Sequence, residues 1–273
     1  MAAGQAVPMD THARRGVHVR NAFLSDVHRG ARECRAELLL DFLHRVHMQQ
    51  LFLVGDIVDV WNMRRGFFWP QLHNNVLRTI LGKAKHGTRI IYVPGNHDEE
   101  FRDLDGSVFG NLEVHREYVH TTARGHRLLV THGDEFDANV QCSRWLAALG
   151  SGMYDVSLGL NRGVSRVRRA LGFPYWSLAS YLKSKVGNAM TYVRRFEEAA
   201  AHAALRRGLD GIICGHIHRP ADAERCGVRY CNTGDWVENC SALVEDCAGE
   251  LHLWQLADWR DAFSTSSRAN RAA

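Results

Sequence analysis

Short apolar runs recur along the chain, and each ends in a cluster of Asp, His, Asn and Gly. Residues 18–24 lead into S-D-V-H, 51–54 into G-D-I-V-D, 89–93 into P-G-N-H-D, 127–130 into T-H-G-D and 211–214 into G-H-I-H. Runs of this length, aliphatic or β-branched and bounded by glycine, are expected of strands buried on both faces. Helical patterns lie between the first of them. Across 34–47, Leu38, Leu39, Phe42, Leu43 and Val46 fall on one helical face; across 70–86, Leu72, Val76, Leu77 and Ile80 do the same. Strand, polar loop, helix, strand is the βαβ pattern, and in such sheets ligands bind in the loops beyond the carboxyl ends of the strands. Every one of the polar clusters occupies that position, so they can converge on one site. The interval 139–207 has no strand pattern and reads as about three helices, broken near 150–152 and 172–174. After it the strand pattern resumes in V-R-Y-C-N-T-G-D-W, S-A-L-V-E and E-L-H-L-W-Q-L. The expectation is one α/β domain over 17–257, built on a single sheet, with a helical insertion at 139–207 and disordered tails at 1–16 and 264–273.

Composition narrows this little. The chain has 273 residues, 45% of them hydrophobic and 23% charged, which is ordinary for a folded soluble protein. A net charge of +4 permits an anionic substrate, but it is not the pronounced basicity of a nucleic-acid-binding domain, and nucleic acid is not expected as a partner. The seven cysteines include no C-x-x-C pair and are odd in number. They read as reduced thiols, which points to the cytoplasm. The amino-terminal residues show no apolar signal-peptide core, and no stretch has the length of a transmembrane helix.

The clusters hold Asp26, His28, Asp56, Asn96, His97, His132, His216 and His218. Carboxylate, imidazole and amide oxygen together suit borderline and hard divalent ions such as Mn, Fe or Zn. Two cations about 3.5–4 Å apart need a shared ligand, and a carboxylate such as Asp56 can bridge them and support in-line attack on phosphorus from both sides. Any one cluster alone reads as a turn or a helix cap. The five in this order, each after a strand, are a different matter.

The set S-D-V-H, G-D-I-V-D, G-N-H-D, H-G-D and G-H-I-H, spanning 25–218, resembles the calcineurin-like metallophosphoesterases. The resemblance implies a four-layer α/β fold, a two-sheet β-sandwich flanked by helices, rather than a single sheet. It implies one metal held by Asp26, His28, Asp56 and His218, a second held by Asp56, Asn96, His132 and His216, and a hydroxide between them as nucleophile; manganese is the first expectation, with Fe or Zn as alternatives. His97 is then expected beside the leaving group. Asp98 is expected to fix its tautomer, the alternative being an N-cap for the segment that follows.

A finer resemblance is to the bacterial UDP-2,3-diacylglucosamine pyrophosphatase-like branch, whose members serve lipid A biosynthesis. It rests on G-D-I-V-D-V-W, on the insertion that includes 175–197, and on C-N-T-G-D-W-V-E-N-C-S-A-L-V-E at 231–245. That branch implies a helical cap over the metals and a cleft for a nucleotide-linked glycolipid. Candidate substrate contacts are Trp61, Trp176, Tyr181, Lys183, Lys185, Arg194 and Arg195; the other reading is that the apolar ones dock the insertion and the basic ones are a solvated face. Arg162, Arg166, Arg168 and Arg169, with Lys183 and Lys185, can also form a patch for an anionic membrane surface, a peripheral contact at the inner membrane. Trp236 is expected to pack near the site. The branch carries G-N-R-D where this chain has His97, which leaves open another nucleotide diphosphate lipid or a different phosphodiester. A nuclease or cyclic-nucleotide phosphodiesterase, and a metal-free scaffold of the same fold, complete the alternatives.

Overall fold

A computed structural model describes residues 16–139, 178–256 and 258. The strands are β1 (Val17–Leu24), β2 (Val46–Val54), β3 (Arg89–Val93), β4 (Val108–Phe109), β5 (Leu112–Val114), β6 (Tyr118–Thr121), β7 (Arg127–Val130), β8 (Gly211–Cys214), β9 (Ala221–Arg225), β10 (Val228–Asn232), β11 (Ala242–Glu245) and β12 (Leu251–Trp254). They form two sheets. A seven-stranded sheet has the order β12-β11-β1-β2-β3-β5-β4, and a five-stranded sheet has the order β6-β7-β8-β10-β9. The single sheet read from the patterning is thus corrected to a pair. The centre of each is parallel, β1 to β2 to β3 in one and β7 to β8 to β10 in the other, with antiparallel strands at the rims.

The helices are α1 (Ala36–Arg45), α2 (Val60–Met63), α3 (Gln71–Lys85) and α4 (Leu178–Arg206). Three apolar clusters define the layers. Phe23, Phe52, Val54, Ile91, Val93, Leu128, Val130 and Ile213 fill the space between the sheets. Leu39, Phe42 and Leu43 of α1 and Val76 and Ile80 of α3 cover the outer face of the large sheet. Phe196, Ala200, Ala203 and Ala204 of α4 cover the outer face of the small one. Adjacent residues of β1 serve both layers, Phe23 inside the sandwich and Ala22 and Leu24 under the helices. That two-sided burial is why the strands read as continuous apolar runs.

Details of the patterning are also corrected. The strand begins at Val46, directly after α1, so Val46 and His47 belong to β2 rather than to the helix. The buried face of α3 is His73, Val76 and Ile80, and Leu72 turns outward. The three-helix reading of the insertion and its arginines 162–169 fall on residues outside those described, as do the tails; its carboxyl-terminal part is the single 29-residue α4. Among the described residues no helix is long and apolar enough to cross a membrane.

Candidate metal centre

The loops after β1, β2, β3, β7 and β8 meet at one edge of the sandwich. Backbone bonds lock them together: Asp26 N–H donates to Gly55 O at 3.0 Å, His28 N–H to Asp56 O at 2.9 Å, and Gly215 N–H to His132 O at 3.0 Å. Asp26, His28, Asp56, His216 and His218 all have positive φ, between 51° and 70°. Side chains seldom adopt this left-handed geometry, and its concentration here is the backbone strain expected where function dictates orientation. Glycine is required at 95 and 215, where an added Cβ would strike the carboxylates of Asp56 and Asp26 respectively.

The side chains converge on two points. At the first, His28 Nε2 lies 3.2 Å from His218 Nε2, and Asp26 Oδ1 lies 3.1 Å from His218 Nε2. Asp56 Oδ2 is 3.7 Å from His28 Nε2. At the second, Asp56 Oδ1 lies 3.5 Å from His132 Nε2 while also accepting from the His97 backbone N–H at 2.8 Å, so Asp56 stands between the two groups. Asp56 Oδ2, Asn96 Oδ1, His132 Nε2 and His216 Nδ1 are buried with no hydrogen-bond partner among the described residues. Buried polar atoms are normally satisfied. The other nitrogen of His132 is satisfied, Nδ1 donating to Val54 O at 3.0 Å, and His216 Nε2 meets Asp137 Oδ2 at 2.7 Å. The second nitrogen of each ring, His132 Nε2 and His216 Nδ1, is thus the one left to offer a lone pair to a cation once it is unprotonated. This donor set fits divalent cations.

Electrostatics agree. Burial alone would raise the carboxyls of Asp26 and Asp56, but imidazoles outweigh it: His218 and His132 hold Asp26 well below the usual range, and His132, His28 and His97 do so for Asp56. Burial alone would lower His132 and His218, and the carboxylates of Asp56 and Asp26 reverse this and raise both.

His97 sits at the edge of this cluster, its Nε2 3.9 Å from Asp56 Oδ2. The carboxyl that orients it is not Asp98. His97 Nδ1 donates to Asp59 Oδ1 at 2.8 Å, while Asp59 Oδ2 faces His28 Nδ1 at 3.2 Å and accepts from Asn62 Nδ2 at 2.7 Å. Burial would raise Asp59, but the hydrogen bonds from His28 and His97 hold it far below the usual carboxylate range. An ionised carboxylate only accepts, so His97 carries a proton on Nδ1 and directs Nε2 into the site. Asp98 instead turns back beneath the loop. It accepts from the backbone of Asp56, Ile57, Val58 and Gly95 and from the Tyr92 hydroxyl at 2.6 Å. Neither the tautomer role nor the N-cap role applies, since Asp98 makes no side-chain cap bond to the turn after it. Burial and the charge of Asp56 push its carboxyl upward. Asp59 was visible in the sequence only as the second aspartate of G-D-I-V-D.

Trp61 lies at the rim, 47% exposed, its ring edge-on to His97 with centroids 5.4 Å apart and the Arg65 guanidinium 3.8 Å over its face. Trp236 is fully buried, and its backbone N–H donates to Asp26 O at 3.0 Å. Arg194 and Arg195 are exposed on α4, and Arg194 pairs with Glu198 one turn along. Trp176 and the side chains of Tyr181, Lys183 and Lys185 lie outside the described residues.

The sequence profile of the calcineurin-like phosphoesterases matches residues 19–220, a span that contains every cluster above. The chain belongs to that family. It is accordingly a hydrolase, a phosphoesterase of the metal-dependent kind. Among curated relatives, a UDP-2,3-diacylglucosamine hydrolase of Xanthomonas campestris pv. campestris is 30% identical over 252 residues, covering 86% of this chain and 98% of that protein. One of Xanthomonas axonopodis pv. citri is 29% identical with the same coverage. Solved structures similar to this phosphoesterase include Yfce of E. coli, a phosphoesterase, at 16% identity and a TM-score of 0.43, covering 87% of this chain and 98% of that one.

Proposed function

We propose that the chain hydrolyses the pyrophosphate bond of a nucleotide-linked, diacylated amino sugar such as UDP-2,3-diacylglucosamine. The observation that carries this reading is the convergence of seven metal-ligating side chains, with atoms of Asp56, Asn96, His132 and His216 buried and unpartnered among the described residues, in a chain that aligns with 98% of a relative bearing that substrate in its name. In this reading Asp26, His28, Asp56 and His218 hold one divalent ion and Asp56, Asn96, His132 and His216 the other, manganese being the first choice for both. Bound together, the ions supply Lewis acidity and an activated water at neutral pH. Asp56 spans them. His97, oriented by Asp59, carries the proton that neutralises the leaving oxygen. The substrate contacts of this reading are Trp61, Trp176, Tyr181, Lys183, Lys185, Arg194 and Arg195, and 139–207 is read as a cap within a single domain over 17–257. A peripheral contact with the cytoplasmic face of the inner membrane fits a lipid substrate. Phe67, 77% exposed in a segment with Arg64 and Arg65, supports that contact.

The experiment is release of UMP from UDP-2,3-diacylglucosamine with manganese present. Turnover of that lipid is expected. Cleavage of a simple aryl phosphodiester with no lipid turnover would remove the lipid reading and leave the hydrolase. The second reading rests on the resemblance, which implies G-N-R-D in the lipid-pyrophosphatase branch where this chain has His97, and a different phosphodiester is the alternative substrate.

A further inference from the structure

Helix α4 reaches the metal centre through two side chains one turn apart. The Tyr192 hydroxyl donates to Asp137 Oδ1 at 2.5 Å, and Asp137 Oδ2 meets His216 Nε2 at 2.7 Å. Phe196, four residues on, lies parallel to the His216 ring, with centroids 6.0 Å apart and planes 28° apart. Gly133, next to His132, leaves room for this ring; a Cβ there would approach Phe196 Cζ to 2.9 Å. The remaining nitrogen, His216 Nδ1, is buried without a hydrogen-bond partner among the described residues. Nothing in the motif pattern marks Tyr192, inside the insertion, or Asp137, just before it.

We infer that Tyr192 and Asp137 are positioning residues that hold His216 in its metal-binding tautomer, and that they tie one metal ion to helix α4. The inference rests on the metallophosphoesterase reading of the site. The carboxylate of Asp137 accepts a proton held on Nε2, which leaves the Nδ1 lone pair free for the cation. Such carboxylate–histidine–metal contacts orient the ligand and raise its basicity, and their loss weakens metal binding about 10- to 100-fold. Tyr192 fixes the carboxylate in turn. Because α4 is the same helix that carries Tyr181, Lys183 and Lys185, its placement and the affinity of the ion at His216 become linked properties. Linkage of this kind is reciprocal.

The test is metal binding by full-length Asp137→Ala, Asp137→Asn and Tyr192→Phe, read by titration with manganese and by the visible spectrum of the cobalt-substituted protein. Asp137→Ala is expected to lose about 10- to 100-fold in affinity for one of two ions. Asp137→Asn keeps an acceptor oxygen and should recover part of this loss. Tyr192→Phe removes a single hydroxyl, so the fold is retained while the cobalt spectrum shifts and the same ion weakens severalfold. Arg225→Ala serves as the control, because it breaks the Glu197–Arg225 pair, 2.7 Å long, that ties α4 to β9, without touching the relay. Two ions bound with unchanged affinity and spectrum in Tyr192→Phe and Asp137→Ala would overturn the inference. Equal weakening in Arg225→Ala would also overturn it, since loosening of the helix would then suffice. A wild-type protein that binds no metal would sink the metallophosphoesterase reading and this inference together, which separates the two failures.

Discussion

Asp59 and Asp98 are both buried carboxylates within one loop cluster, yet their partners assign them opposite kinds of work. Asp59 holds two imidazoles, so Asp59→Asn should leave the fold standing while allowing the wrong tautomer at His97. Steady-state kinetics should show kcat lower by about 10²–10⁴-fold; an unchanged kcat would return the orienting role to another group. His97→Ala should slow the reaction by a similar factor with both ions still bound, as elemental analysis can establish. Asp98→Ala, in contrast, strands backbone N–H groups of Asp56, Ile57, Val58 and Gly95 and the Tyr92 hydroxyl. Its main effect should be a loss of about 3 kcal/mol in urea denaturation, because buried donors lose their acceptor. The candidate ligands were legible in the sequence because type and order recur at strand ends: Asp26, His28, Asp56, Asn96, His132, His216 and His218 all come to the same edge. The error at Asp98 came from adjacency. It follows His97 in the chain, but neighbouring side chains in a turn diverge, and the carboxyl that meets the ring comes from another loop. Asp137 and Tyr192 carried no signal, since a lone Asp after T-H-G-D and a Tyr within a helix look like surface and core.

At the level of elements, the loops are held so closely that their glycines matter as much as their ligands. A Cβ on Gly95 would sit 2.7 Å from the Asp56 backbone N and collide with the Asp56 carboxylate. Because Asp56 faces both cation points, Gly95→Ala should reduce the content of both ions in elemental analysis and abolish turnover; full occupancy would show that the loop yields more than its packing implies. The elements themselves were mostly readable. Buried strands announce themselves as apolar runs, and α1 and α3 as helical stripes. The boundary at Val46 was not, because an apolar residue there satisfies both the last turn of α1 and the first position of β2. Nor was the number of sheets. An apolar run reports that both faces are covered but not by what, and Phe23 packing on Phe52 inside the sandwich reads the same as packing under a helix.

For the molecule as a whole, the centre concentrates negative charge that the metal-free protein manages with its own protons. Asp26 and Asp56 remain ionised, and they raise His132 and His218 above the ordinary value of 6.5. A histidine raised on folding stabilises the folded chain fully below that value, and the stabilisation is lost as pH climbs through the raised one. The metal-free protein should therefore weaken as pH rises, with ionised carboxylates left facing neutral rings. Metal binding runs the other way, because the cations need those rings deprotonated and displace their protons. At about 100-fold above Kd, each ion adds about 2.7 kcal/mol to the folded state. The difference in Tm between manganese-loaded and chelator-treated protein should accordingly widen from about pH 6 to about pH 8, with proton release on loading measurable at the acid end. A difference that shrinks over this range would mean that His132 and His218 are not the groups the cations engage, and a chelator without effect at any pH would mean that the fold does not depend on the ions at all.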